Sequence, residues 1–118
     1  MIKYKIKPAF IDKRGVITDL IENEKINAIT HITIKKGSVR GNHFHKKTWQ
    51  WNYVIRGKMK LITKKKNKIK QCTLKVGDLA LVSPKEEHDL VGLQNCECLV
   101  FTKGPRGGKE YESDTYRI

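Results

Sequence analysis

The chain is predicted to be all-β, folded as an antiparallel sandwich or barrel. Three observations predict it. Apolar and polar residues alternate with period two through much of its 118 residues. β-branched and aromatic residues fill the alternating runs, and turn residues separate them at short intervals. No stretch keeps a helical period over a window of about eleven residues.

The elements follow in chain order. The opening residues alternate Ile and Tyr with Lys, which predicts a strand over 2–6 and lacks the apolar core of a signal peptide. The cytoplasm is therefore the expected location. The turn Lys13-Arg14-Gly15 leads into a strand over 16–21. The run 28–34 alternates cleanly and stops at Lys36-Gly37-Ser38. Strands over 50–55 and 57–63 flank Arg56-Gly57, and Lys65-Lys66-Asn67 forms a hairpin tip before a strand over 69–74. Val76-Gly77-Asp78 and Ser83-Pro84-Lys85 bracket a short strand over 79–82. Strands over 88–92 and 97–102 complete the set, closed by Lys103-Gly104-Pro105. There is no linker or repeat, so residues 1–118 are expected to be a single domain. Its tail, 104–118, is Gly-rich and then acidic and tyrosine-bearing. It is expected to dock on the barrel or on a partner subunit.

Composition narrows the function. The formal charge is +13, and twenty of the twenty-five basic residues are lysine, which favours an anionic partner. The lysines are scattered, and no zinc finger, helix-turn-helix or aromatic-basic motif is present, which argues against nucleic acid. No apolar run is long enough for a membrane helix, so no membrane partner is expected. Cys72, Cys96 and Cys98 are odd in number and without framework spacing, as expected of reduced strand cysteines.

The chemistry concentrates in one run, Gly37–x5–His43–x–His45–x4–Gln50–x6–Gly57. Residues two apart on a strand share a face, so His43 and His45 aim two imidazoles into one space. Paired imidazoles serve metal ligation or proton transfer. With His88 and Gln50 they make a candidate metal set, but Gln50 is neutral where a carboxylate would balance the cation, and Lys46 and Lys47 add positive charge. His31 lies in the alternating run 28–34 and is expected to pack near the barrel mouth. Trp49, Trp51 and Tyr53 alternate with Gln50 and Asn52. If Gln50 points inward, they point outward, toward an inter-sheet or dimer contact.

The run resembles the first motif of the cupin superfamily, G-x5-H-x-H-x3/4-E-x6-G, with Gln50 in the glutamate position. Gly77 and His88 fit the spacing of the second motif, while Ser83, Lys85 and Gly92 replace its proline, glycine and asparagine. The resemblance implies a double-stranded β-helix, the jelly-roll barrel, with His43, His45, Gln50 and His88 around one interior. The flanking residues are similar to two cupin enzyme groups. Asp12-Lys13-Arg14-Gly15 and Arg40-Gly41-Asn42-His43 resemble dTDP-4-dehydrorhamnose 3,5-epimerases. Arg40-Gly41-Asn42-His43-Phe44-His45-Lys46-Lys47 with Gln50 resembles dTDP-sugar 3,4-ketoisomerases more closely, and Tyr111-x-x-Asp114-x-Tyr116-Arg117 is loosely like their ending.

That resemblance implies a metal-free barrel acting on a nucleotide-diphosphate sugar, a dTDP-4-keto-6-deoxyhexose used for surface polysaccharide. His43 is expected to be the base and His45 its partner, with no cofactor. Gln50 would orient one imidazole or the sugar hydroxyls, and His88 would bind substrate. Arg40 would clasp the diphosphate, Arg14 is either a phosphate contact or a turn residue, and Lys47, with Lys46, would draw in the anion. Tyr111 and Tyr116 are acids only if the tail folds over the mouth. The chemistry is accessible to such a pair. A hydrogen beside a ketone is acidified by enolate delocalisation, and a neutral imidazole can remove and return it. A homodimer is expected. Two other readings stay open: a metal-binding cupin with one divalent transition metal on His43, His45, Gln50 and His88, and a sugar-binding cupin without catalysis.

Overall fold

The computed structural model describes residues 1–106 and 113–118. Its strands are β1 (Ile2–Tyr4), β2 (Phe10–Asp12), β3 (Gly15–Ile17), β4 (Ala28–Ile34), β5 (Val39–Phe44), β6 (Trp49–Arg56), β7 (Lys58–Lys65), β8 (Lys68–Lys75), β9 (Leu79–Val82), β10 (Glu87–Gly92), β11 (Cys96–Lys103) and β12 (Tyr116–Arg117). They form two five-stranded sheets, ordered β1-β9-β6-β11-β4 and β12-β5-β10-β7-β8, and a separate β2-β3 hairpin. Every pairing is antiparallel.

Alternation builds the core. Strand β11 reads buried at Cys96, Cys98, Val100 and Thr102, with the intervening residues half-buried. Val54, Ala80, Val82 and Val100 of one sheet meet Met59, Leu61, Leu74 and Leu90 of the other. Cys98 lies in this core, and burial pushes its thiol up to about 12. All three cysteines are free. The β7–β8 tip turns on Lys66 and Asn67, both with positive φ.

Three expectations change. The predicted strand over 16–21 is only Gly15–Ile17, in a hairpin with the unpredicted β2. The histidine run itself is a strand, β5, although its Gly41-Asn42 pair masked the alternation. Trp51 and Tyr53 do face away from the interior, but the chain covers them itself. Ile6, Ile21 and Ile26 pack on them together with Leu79 and Leu81.

One local feature positions the site. The β5–β10 register shifts between His88 and Asp89, forming a bulge where Gly41 and Asn42 both have positive φ. The Asn42 N–H donates to Asp89 Oδ1 at 2.6 Å. A Cβ on Gly41 would lie 2.5 Å from the His88 carbonyl oxygen. Gly41→Ala is therefore expected to cost about 2–3 kcal/mol from strain and clash together. Gly37→Ala, also at positive φ but with open space around it, should cost only about 1 kcal/mol. Urea unfolding of both variants checks this, and equal losses would contradict it.

Candidate active site

β5, β6 and β10 converge on a pocket of about 260 Å³. Its apolar lining includes Ile32, Leu90 and Val100, and its polar lining includes His43, His45, His88, Gln50 and Asn52. Arg40, Arg106 and Arg117 also line it. No Asp or Glu lines it among the described residues.

The histidines form one cluster. Ring centroids lie 4.9 Å apart for His43–His45, 4.6 Å for His43–His88 and 5.2 Å for His45–His88. The His43–His88 contact follows from the register, which sets the two residues opposite each other across β5 and β10. His45 stands just past the end of β5, where a turn must be held in place. The Asp114 carboxylate does so by accepting from the Lys46 and Lys47 amides at 3.2 and 2.8 Å and from the Thr48 hydroxyl at 2.8 Å. Burial alone would raise the Asp114 carboxyl. The Lys47 amide, the Thr48 hydroxyl and the Lys46 amide outweigh it and hold the group below the usual carboxylate range.

Each imidazole has a defined partner at Nδ1. His45 Nδ1 lies 2.9 Å from the Asp114 carbonyl oxygen, and His88 Nδ1 lies 3.4 Å from that of Glu86. His43 Nδ1 lies 2.9 Å from Arg117 Nη1. Burial lowers the His45 pKa, opposed by Asp114 and Gln50 and reinforced by Arg106. Burial, then the neighbouring His43 and His45, lower His88 to about 3. His88 is thus a neutral imidazole at any physiological pH.

Of the residues singled out in the sequence, Arg40, His43, His45, Gln50 and His88 come together. Arg40 Nε also donates to the Thr33 carbonyl at 3.1 Å. Arg14 does not join them. It sits on the β2–β3 hairpin, where Nη2 and Nε reach the Asp12 carboxylate at 2.6 and 3.0 Å. Lys47 contributes its amide to Asp114 rather than lining the pocket. His31 is outside as well, its Nε2 3.2 Å from Glu97, because its parity on β4 faces outward. Tyr116 stacks on Phe44 at 5.4 Å, and Tyr111 lies outside the described residues. Sequence reasoning missed Arg106, Asp114 and Arg117 as site residues. The Asp-x-Tyr-Arg ending marked the tail as a docking segment, but no local pattern says where such a segment lands.

The three imidazoles also make a candidate metal set. Their ligand atoms lie within 4.8 Å of one another. His45 and His88 each have a backbone carbonyl at Nδ1, as metal-bound histidines commonly do. His43 has a guanidinium there instead, and the rest of the polar lining is neutral or cationic. Arg117 beside His43 and the lack of a lining carboxylate among the described residues oppose a cation there, while the close approach of the three imidazoles favours one.

The buried His88 sets a pH dependence. Its folded pKa lies below the usual 6.5, at about 3. Between those values the unfolded chain binds more protons, so stability falls as pH drops through 6.5 toward 3. The expected loss is on the order of a few kcal/mol. In His88→Gln, the decline of the urea midpoint from pH 6.5 to about 4.5 should be shallower than in the native chain. Equal slopes would contradict the assignment.

Comparison with known proteins places this architecture. QdtA, a sugar 3,4-ketoisomerase from Thermoanaerobacterium thermosaccharolyticum in complex with TDP, is similar at a TM-score of 0.79 and 24% identity, over 99% of this chain and 87% of that one. WlaRA, a TDP-fucose-3,4-ketoisomerase from Campylobacter jejuni, is similar at 0.82 and 14%, over 99% and 88%. A dTDP-4-dehydrorhamnose 3,5-epimerase from Sulfolobus tokodaii is similar at 0.75 and 17%, over 98% and 74%. At such identities the likeness shows the fold, the cupin-like barrel implied by the motif spacing. No curated protein sequence matches the chain. The profile of the polysaccharide biosynthesis C-terminal domain matches residues 10–92, well over half of the sequence. The chain belongs to the polysaccharide biosynthesis C-terminal domain family.

Proposed function

We propose that the chain is a nucleotide-sugar isomerase or epimerase acting on a dTDP-4-keto-6-deoxyhexose in surface polysaccharide synthesis. The observation that carries the reading is the pairing of His43 and His45, 4.9 Å apart, in a pocket that, among the described residues, is lined by three arginines and no carboxylate. A pocket of about 260 Å³ is smaller than most small-molecule sites, which run from about 300 to 1,000 Å³. It suits one sugar ring, with the nucleotide left at the mouth. There the guanidiniums of Arg40, Arg106 and Arg117 meet the diphosphate, a contact to which arginine's planar fork is well matched. The two ketoisomerases and the epimerase of similar fold support the same substrate class.

The chemistry needs no redox group. One imidazole removes the proton beside the ketone, and hydrogen bonds hold the enediolate. The proton then returns to the neighbouring carbon, which isomerises the sugar, or to the other face of the same carbon, which epimerises it. Gln50 and neutral His88 face the sugar hydroxyls. The free thiols agree with a cytoplasmic enzyme.

In deuterated buffer the protein should exchange a ring hydrogen of a dTDP-4-keto-6-deoxyhexose, followed by NMR. His43→Asn and His45→Asn should each slow that exchange by about 10²-fold or more. No exchange with any such sugar would leave only binding. The metal reading keeps one observation in its favour, the close approach of the three imidazoles. Elemental analysis of protein purified without added metal decides it, and stoichiometric iron, nickel, manganese or zinc surviving dialysis would favour the metal.

We also propose a homodimer. Among the described residues the β2–β3 hairpin pairs with no other strand, and it exposes Phe10, Ile11, Val16 and Ile17 at 54–64%. Such a hairpin is marginal alone, and a second copy would cover it. Sedimentation velocity should show a dimer that Phe10→Asp with Ile17→Asp converts to monomer. A native monomer would contradict this.

A further inference from the structure

The C-terminal segment engages both histidines of the pair at Nδ1, in opposite senses. A backbone carbonyl only accepts, so the Asp114 oxygen, 2.9 Å from His45 Nδ1, requires the hydrogen on that nitrogen. His45 Nε2 then carries the lone pair. It is buried and no described group meets it in hydrogen-bond geometry, although the Gln50 side chain approaches the ring. A guanidinium only donates, so Arg117 Nη1, 2.9 Å from His43 Nδ1, requires that nitrogen to accept. Neutral His43 then carries its hydrogen on Nε2.

We propose that Asp114 and Arg117 are positioning residues that fix opposite tautomers on the pair, leaving His45 Nε2 as a bare acceptor and His43 Nε2 as a donor. The segment is fixed well enough to do so. Arg117 and Tyr116 pair with His43 and Phe44 as β12 against β5. The Ile118 amide donates to the Asn42 carbonyl at 3.2 Å. Tyr116 contacts both the Phe44 ring and the Lys46 ammonium, the latter 4.3 Å from its centroid. The Asp114 carboxylate is buried on the turn after β5.

The catalytic consequence rests on the acid–base reading above and reverses the order expected from the sequence. His45 Nε2 takes the proton from the carbon beside the ketone and becomes imidazolium. His43 stays neutral and donates a hydrogen bond to the enediolate oxygen, as a neutral imidazole does when it serves as electrophile. His45 returns the same proton to the neighbouring carbon, while the hydroxyl proton passes between the two oxygens. The proton count closes with no other reactant.

Ring-nitrogen NMR of the ¹⁵N-labelled full chain, at about pH 8 where free imidazoles are neutral, tests the tautomers without substrate. His45 should show a protonated Nδ1 and a bare Nε2, and His43 the reverse. Arg117→Met should shift His43 away from the Nε2–H form, and Arg117→Lys, which keeps a donor, should restore it. Contacts between Tyr116 and Phe44 report whether β12 remains docked in the variants. The same tautomer on both rings, or an unchanged His43 in a docked Arg117→Met, would overturn the proposal. The measurement does not depend on turnover, so an absence of isomerase activity would count against the proposed function and leave the tautomer result standing.

Discussion

The site depends on the close approach of Gly41 to the backbone of His88. β5 and β10 can run in register up to Asp89 and still bring His43 opposite His88 only because the strand bulges there. The bulge needs two consecutive residues at positive φ, and the tight side of it has no room for a Cβ. Everything downstream inherits that geometry. His45 follows two residues later on the same face, and the turn beyond it is held by a carboxylate from the far end of the chain. Alternation, bulge and tail together aim three imidazoles at one volume.

Electrostatics then select what the volume accepts. Burial and the neighbouring histidines keep His88 neutral, and burial with Arg106 lowers His45. The charge comes from the guanidiniums, which cannot lose their protons. A neutral polar wall beneath a cationic lining suits a ligand that is anionic at one end and a sugar at the other. A bound cation would have to tolerate Arg117 beside one of its ligands and would gain no carboxylate from the described residues in return. The overall charge of +13 points the same way at long range.

Much of this was legible in the sequence, because period-two alternation reports burial directly. Strands β4, β6, β7, β9, β10 and β11 follow it closely, and the H-x-H spacing correctly put His43 and His45 on one face. What the sequence could not show was tertiary. Gly41 and Asn42 interrupt the alternation at the very strand that carries the histidines, so alternation does not mark β5 and only the H-x-H spacing, read with strand geometry, points to it. Arg14 could be a phosphate contact or a turn residue by sequence, and within this chain it sits on the β2–β3 turn with Asp12 engaging it. The placement of Arg117 beside His43 joins residues 74 apart, which no local pattern encodes. His31 illustrates the same limit, since an alternating strand does not say which of its two faces is the inner one.

The central claim is that this pocket holds a ketosugar against the histidine pair with its diphosphate on the arginines. A crystal structure with a bound dTDP-4-keto-6-deoxyhexose tests it most directly. The account predicts the carbon beside the ketone about 3–3.5 Å from a ring nitrogen of His43 or His45, with diphosphate oxygens on Arg40, Arg106 or Arg117. A metal ion ligated by His43, His45 and His88, or a nucleotide bound away from this pocket, would contradict it.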